Sequence, residues 1–234
     1  MLNRHILMGC AGGASGPLWS IGNEYLEVFE SNLKLYYPLH DLVDIVGGHN
    51  LTNNNSVSFS SDGIRGKCAT LSGANHLSVA NHSDFQFGTG AFAISCWINT
   101  NQSGGIGFLS ISNENFGGIM AFVETTVVKV LLGAGTVWVE LASSSGAITQ
   151  DAWNHILIYR EGENVKVRAN DTEIVSLTAP NAFDDVDADL CIGRWDFVPE
   201  YYTGMVDEVA IWKGTPLNAD ARTALSAGSV RNIS

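Results

Sequence analysis

From Leu33 onward, apolar residues recur in short runs divided by Gly, Asn and Ser. Leu33–Leu39, Ile106–Ser112, Gly118–Val123, Val127–Leu132, Val137–Leu141, Trp153–Arg160, Val165–Ala169, Glu173–Leu177 and Leu190–Gly193 are such runs. Their length and their bounding turn residues predict β-strands. Lys67–Leu71 and His76–Val79 read as a hairpin around Ser72-Gly-Ala-Asn75. Phe92–Ile98 is apolar on both faces, as a central strand of a packed sandwich is. The longest apolar stretch, Thr203–Lys213, is broken by Asp207 and Glu208. As neighbours in a strand, the two acids are expected on opposite faces of the sheet. A turn at Gly214-Thr-Pro216 precedes a short helix over 218–227, with Asn218 as N-cap and Gly228 beyond its end. Helical periodicity is almost absent before Asn218, so the series predicts an all-β, two-sheet antiparallel jelly-roll sandwich with a short C-terminal helix.

Residues 1–31 do not share this pattern. Met1–Cys10 is short and apolar, and Ala11–Gly16 is a run of small residues. Leu7-Met-Gly-Cys10 has the look of a lipoprotein cleavage box, but the apolar Ile6–Gly9 falls short of the roughly 7–15 apolar residues of an export signal. The expected organisation is an extended arm over 1–31, serving assembly, and one domain over 32–234; an ordinary frayed terminus is the alternative for the arm. The net charge of −12 argues against nucleic acid and anionic membranes as partners. No apolar run approaches the roughly 20 residues of a membrane span. Cys10, Cys68, Cys96 and Cys191 form no CxxC and no Cys/His cluster. They are expected as buried free thiols, with a Cys68–Cys96 or Cys96–Cys191 bridge as the alternative.

The motifs taken together, from Leu33 to Gly228, resemble a concanavalin A-like, laminin-G-type jelly roll, the family of lectins, pentraxins and many appended glycan-binding modules. The resemblance is carried by Leu35-Tyr-Tyr-Pro-Leu-His-Asp41, Gly66–Leu71 leading to His76–Val79, and the Trp strand Phe92–Ile98. It continues in Trp153–Arg160 with Val165–Asn170, Ile192-Gly-Arg194 and Gly204–Trp212. Two positions depart from the family pattern: Asp171 follows Asn170 where Gly is common, and Ser72–Asn75 stands where many members carry an Asp-Gly turn.

Glycoside hydrolysis requires two carboxylates about 5–10 Å apart on one surface. The adjacent Asp207 and Glu208, expected to diverge, do not supply them. No Gly-x-Ser-x-Gly elbow, His-Glu-x-x-His or phosphate loop occurs, so the expectation is a protein that is not an enzyme. His155 is read as structural. The resemblance implies a calcium ion at the sandwich rim, for which Asp41, Asp207 and Glu208 are candidates. The acidic run Asp184–Asp189, with Asp185 and Asp187, is a second candidate set or a solvated loop. For glycan binding, Trp195–Tyr202 is the stretch with aromatic platforms and acceptors, and Trp195, Asp196, Tyr201 and Tyr202 are its candidates. Loops 99–105 and 143–146 are polar enough to line such a site.

The expected function is a non-enzymatic structural or adhesion module on the surface of a bacteriophage virion, as capsid decoration or tail component. Its arm would dock on other virion proteins or on further copies of itself as a homo-oligomer, and the sandwich would face host glycans. A free-standing calcium-dependent lectin is the alternative, and a glucanase-like hydrolase the more distant one.

Overall fold

The computed structural model describes residues 32–179, 186–195 and 200–227. The arm over 1–31, Asp185, Asp196 and Gly228 lie outside the described residues. The strands in chain order are β1 Leu33–Tyr37, β2 Thr52–Asn54, β3 Ser58–Ser60, β4 Cys68–Ser72 and β5 His76–Val79. Next come β6 Ala91–Asn99, β7 Ile106–Asn113, β8 Gly117–Glu124, β9 Val127–Gly133 and β10 Trp138–Ala142. The last five are β11 Asn154–Glu161, β12 Asn164–Ala169, β13 Thr172–Thr178, β14 Leu190–Ile192 and β15 Thr203–Gly214, followed by helix α1, Ala219–Ser226. They form two antiparallel sheets, ordered β13-β12-β11-β6-β15-β4-β3 with β1 also on β15, and β10-β9-β8-β7-β14-β5-β2.

The predicted two-sheet sandwich is therefore present, and Phe92–Ile98 lies in β6, between β11 and β15. Between the sheets pack Leu35, Leu77, Ile94, Ile98, Leu109, Ala121, Val130, Ile158, Val206 and Ile211, among others. Non-directional burial of this apolar surface is the main force holding the layers together. A smaller cluster, with Tyr36, Tyr159, Ala210, Trp212, Leu217 and Leu225, packs where α1 covers the outer face of the larger sheet. The Asn218 side chain caps α1 by accepting from the Ala221 N–H at 2.8 Å.

Three local expectations are corrected or refined. β4 and β5 are not a hairpin: β4 pairs with β15 and β3, whereas β5 pairs with β14 and β2 in the other sheet. Ser72–Asn75 is the corner between the layers, turned by Gly73 at φ +77 and held by the Gly73 N–H on Tyr202 O. Asn170 and Asp171 both take left-handed backbone, at φ +48 and +68, so Asp171 adopts the conformation a glycine supplies more cheaply. The Arg168 side chain donates to the carbonyl and carboxylate of Asp171 and holds it there. Cys68 and Cys96 are buried free thiols, so neither alternative bridge forms.

The third correction concerns Asp207 and Glu208. Along one edge of β15, residues 203–206 pair with β4 and residues 209–212 pair with β1. The two acids occupy the junction. On the opposite edge Asp207 pairs with Trp97 and Ala210 with Ser95, so β15 carries one residue too many. That is a β-bulge, and Glu208 sits in it at φ +53. Val206, Val209 and Ile211 face the inter-sheet core, while Ala210 and Trp212 face α1. The extra residue resets the alternation, so Asp207 and Glu208 come together on the outer side instead of diverging.

Candidate functional site

Two places gather the sequence candidates. The first is the outer side of the smaller sheet. Trp195 follows β14 and is half-buried. Its indole lies against the backbone of β7 at Gly107, where a Cβ would come well inside the 3.0 Å that real Cβ atoms essentially never breach. Glycine at this strand position is required by the close approach of the ring. Phe122 of β8 meets Trp195 edge to face, with centroids 5.6 Å apart, and itself lies over Gly105. Lys129 reaches over the Phe122 ring at 5.9 Å and pairs with Glu124 at 2.7 Å and Glu140 at 3.9 Å. Arg194 and Tyr201 form an isolated bridge, the guanidinium 5.7 Å from the phenol ring. Tyr201 also contacts the His76 ring at 5.8 Å. Burial and the nearby Arg194 charge lower the pKa of His76, which keeps it neutral.

Trp195 and Tyr201 are thus brought to one ledge, with charged and amide groups beside them. Tyr202 is not part of it. Its side chain is fully buried and meets Phe108 edge to face in the core, so it presents no face to a ligand. The polar loop 99–105 borders the ledge: Gln102 Oε1 accepts from Thr203 N at 2.9 Å, and Thr100 Oγ1 donates to Thr203 O at 2.7 Å.

The second place is the Asp207–Glu208 bulge. Asp207 Oδ2 accepts from Ile64 N at 2.7 Å, and Oδ1 accepts from Glu208 N at 2.9 Å. Trp153 Nε1 donates to Asp62 O at 2.9 Å. These contacts tie the 61–67 loop across the outer face of the larger sheet. Glu208 accepts from Tyr36 Oη and lies 3.9 Å from Arg65 Nε. Burial, then the adjacent Glu208 charge, raises Asp207 to about 7. Burial also raises Glu208, against the pull of Tyr36, Arg65 and His40. The Tyr36 hydroxyl is pushed up by burial and by Glu208.

For a calcium ion, the fit is incomplete. Glu208 Oε1 is a buried carboxylate oxygen without a hydrogen-bond partner, which suits a cation. The groups that act on the pair are basic, however: Arg65 and His40 occupy the positive role. Asp41 is exposed, and its Oδ1 closes its own turn on Val43 N at 2.8 Å; the neighbouring His40 acts on Glu208 instead. Asp187 belongs elsewhere, accepting from Asn81 Nδ2 at 3.0 Å. His155 is buried, with Nε2 2.8 Å from Ser95 Oγ, and burial lowers it to about 3; both facts fit a structural role.

Residues 71–221 match the family model described as concanavalin A-like lectin/glucanases superfamily. The chain belongs to this superfamily. Its fold is shared by solved structures of low identity. One is domain 4 of an extracellular arabinanase from Geobacillus stearothermophilus, solved in complex with arabinotriose. It aligns at TM-score 0.68 and 19% identity, over 83% of this chain and 98% of that one. The binding domain of Paraclostridial Mosquitocidal Protein 1 aligns at 0.69 and 14%, over 84% and 52%. The binding domain of Botulinum neurotoxin DC, in complex with SialylT, aligns at 0.66 and 13%, over 86% and 52%. This superfamily member therefore spans about half the length of those toxin domains. No curated protein sequence matches it. No helix among its described residues is long and apolar enough to cross a membrane.

Proposed function

We propose that this chain is a non-catalytic, calcium-independent carbohydrate-binding module. The observation that carries the reading is the Trp195 indole, its Cδ1–Nε1 edge seated against Gly107 and its ring braced by Phe122. Sugars bind such rings because their axial C–H faces are apolar while their hydroxyls take hydrogen bonds from flanking polar groups. Tyr201, Lys129, Glu124 and Glu140 are the groups placed to flank a ligand on this side. The arabinanase domain in complex with arabinotriose is an example of this fold beside an oligosaccharide.

The non-catalytic part rests on Asp207 and Glu208. Although the bulge puts them together, both are buried, and both spend oxygens on Ile64, Tyr36 and their own backbone. A hydrolytic pair has to face substrate across an open cleft. Detectable reducing-sugar release, abolished by Glu208→Gln, would overturn this part. The calcium-independent part rests on Arg65 and His40 beside the acids. Binding abolished by chelator would overturn it.

The finer reading places the module on a bacteriophage virion surface, anchored through residues 1–31. Its support is the sequence of that segment. Comparing the mass in solution of the full chain with that of a form starting at Leu33 tests it. Assembly confined to the full chain is the expected result, and identical masses would contradict it.

A further inference from the structure

A third cluster lies apart from both places. His49, His82 and Asp84 come from two separate segments, yet one ligand-capable atom from each lies within 4.8 Å of the others. Asp84 Oδ2 is 3.1 Å from His49 Nε2 and 3.2 Å from His82 Nδ1. A tetrahedral ion with bonds of roughly 2.0–2.1 Å sets its ligand atoms about 3.3 Å apart, close to both separations.

His49 is held for this geometry. The buried Asp44 carboxylate accepts from four backbone N–H groups, of Tyr36, Val46, Gly47 and His49, and so fixes the loop. Tyr37 Oη donates to His49 O, and the His49 ring rests on Phe85, centroids 5.3 Å apart. His82 Nδ1 meets conflicting demands. The Asp84 N–H at 3.2 Å asks it for a lone pair, whereas the Asp84 carboxylate at 3.2 Å asks it for a proton or a cation. A neutral imidazole nitrogen cannot meet both. A bound cation takes the lone pair and neutralises the carboxylate in one step. Lys213 does not fill this role, since its Nζ donates to Ser83 O at 2.7 Å.

We infer that His49, His82 and Asp84 form a binding site for a divalent transition-metal ion, zinc being the match to two imidazoles and one carboxylate. The donor set is wrong for calcium, which takes 6–8 oxygens. The His82 side chain is 47% exposed and that of Asp84 29%, so the fourth position opens to solvent. The ion would staple the 38–51 loop to the turn at Ser83–Phe85. It is independent of the glycan reading.

The test is calorimetric titration of the tag-free, metal-stripped full chain with Zn²⁺ at about pH 7.5, with Ca²⁺ in parallel. Expected are one zinc per chain with micromolar or tighter affinity, and no calcium heat from this site. His82→Ala and Asp84→Asn should each weaken zinc about tenfold or more while leaving the metal-free melting temperature nearly unchanged. His49→Ala should do the same to affinity. No saturable zinc binding, or wild-type affinity retained in the His82 and Asp84 variants, would overturn the assignment.

Discussion

The indole of Trp195 occupies the space that a side chain at Gly107 would fill. The two residues belong to different segments, and the strand position is empty of side chain so that the ring edge can reach the backbone. Gly107 has no left-handed backbone, so alanine there meets one obstacle, the ring itself. Gly107→Ala should therefore lift Trp195 and lower glycan affinity about as much as Trp195→Ala, while the protein stays folded. The cost in stability should be about 1–2 kcal/mol, in the range of an overpacked site. Binding and thermal melts on the two variants check this. Full affinity in the Gly107 variant would detach the ring's position from binding.

Tyr201 and Tyr202 should behave oppositely in melts. Tyr202→Ala opens the core beside Phe108 and should cost about 4 kcal/mol. Tyr201→Ala, at the half-buried bridge, should cost about 1 kcal/mol or less and act on binding instead.

Tyr36→Phe removes the hydroxyl that donates to Glu208 and leaves a buried acceptor poorly served. The expected loss is about 2 kcal/mol by denaturant titration, as for a hydrogen bond to a charged group.

The Asp207 carboxyl, raised to about 7, makes stability depend on pH. The unfolded chain ionises this group near 4, so its favourable contribution is complete below about pH 4 and is lost as pH rises through 7. His155 acts the other way. Held down at about 3, it stays neutral in the fold while the unfolded chain protonates near 6.5, so stability falls as pH drops below 6.5. Asp207→Asn keeps an acceptor for Ile64 N and removes the titration. Its melting temperature relative to wild type should rise from about pH 4 to about pH 7 and level off above, where both states are ionised. A constant difference across that range would place the Asp207 ionisation elsewhere.

The sandwich was legible because strand length, alternation and turn residues agree along nearly the whole domain. The misreadings are local and physical. A corner between sheets uses the same Gly and Asn chemistry as a hairpin, so Ser72–Asn75 does not announce which it is. The bulge at Glu208 is hidden from simple alternation, though the core spacing Val206, Val209, Ile211 does record the extra residue. The aromatic run predicts Tyr202 as a platform beside Tyr201, yet neighbours in extended chain face opposite ways. Trp195 stood out as an aromatic after a strand end. Gly107 carried a readable signal, a glycine inside a strand. His49, His82 and Asp84 left none, because only the fold joins their segments.

The most direct measurement is binding of the tag-free chain to a panel of arabino- and sialylated oligosaccharides in the presence of chelator, with Trp195→Ala run beside it. The account predicts saturable binding to at least one oligosaccharide, weakened about tenfold or more by the substitution, which corresponds to about 1.4 kcal/mol. Undiminished binding by the Trp195 variant, or no saturable binding across the panel, would contradict it.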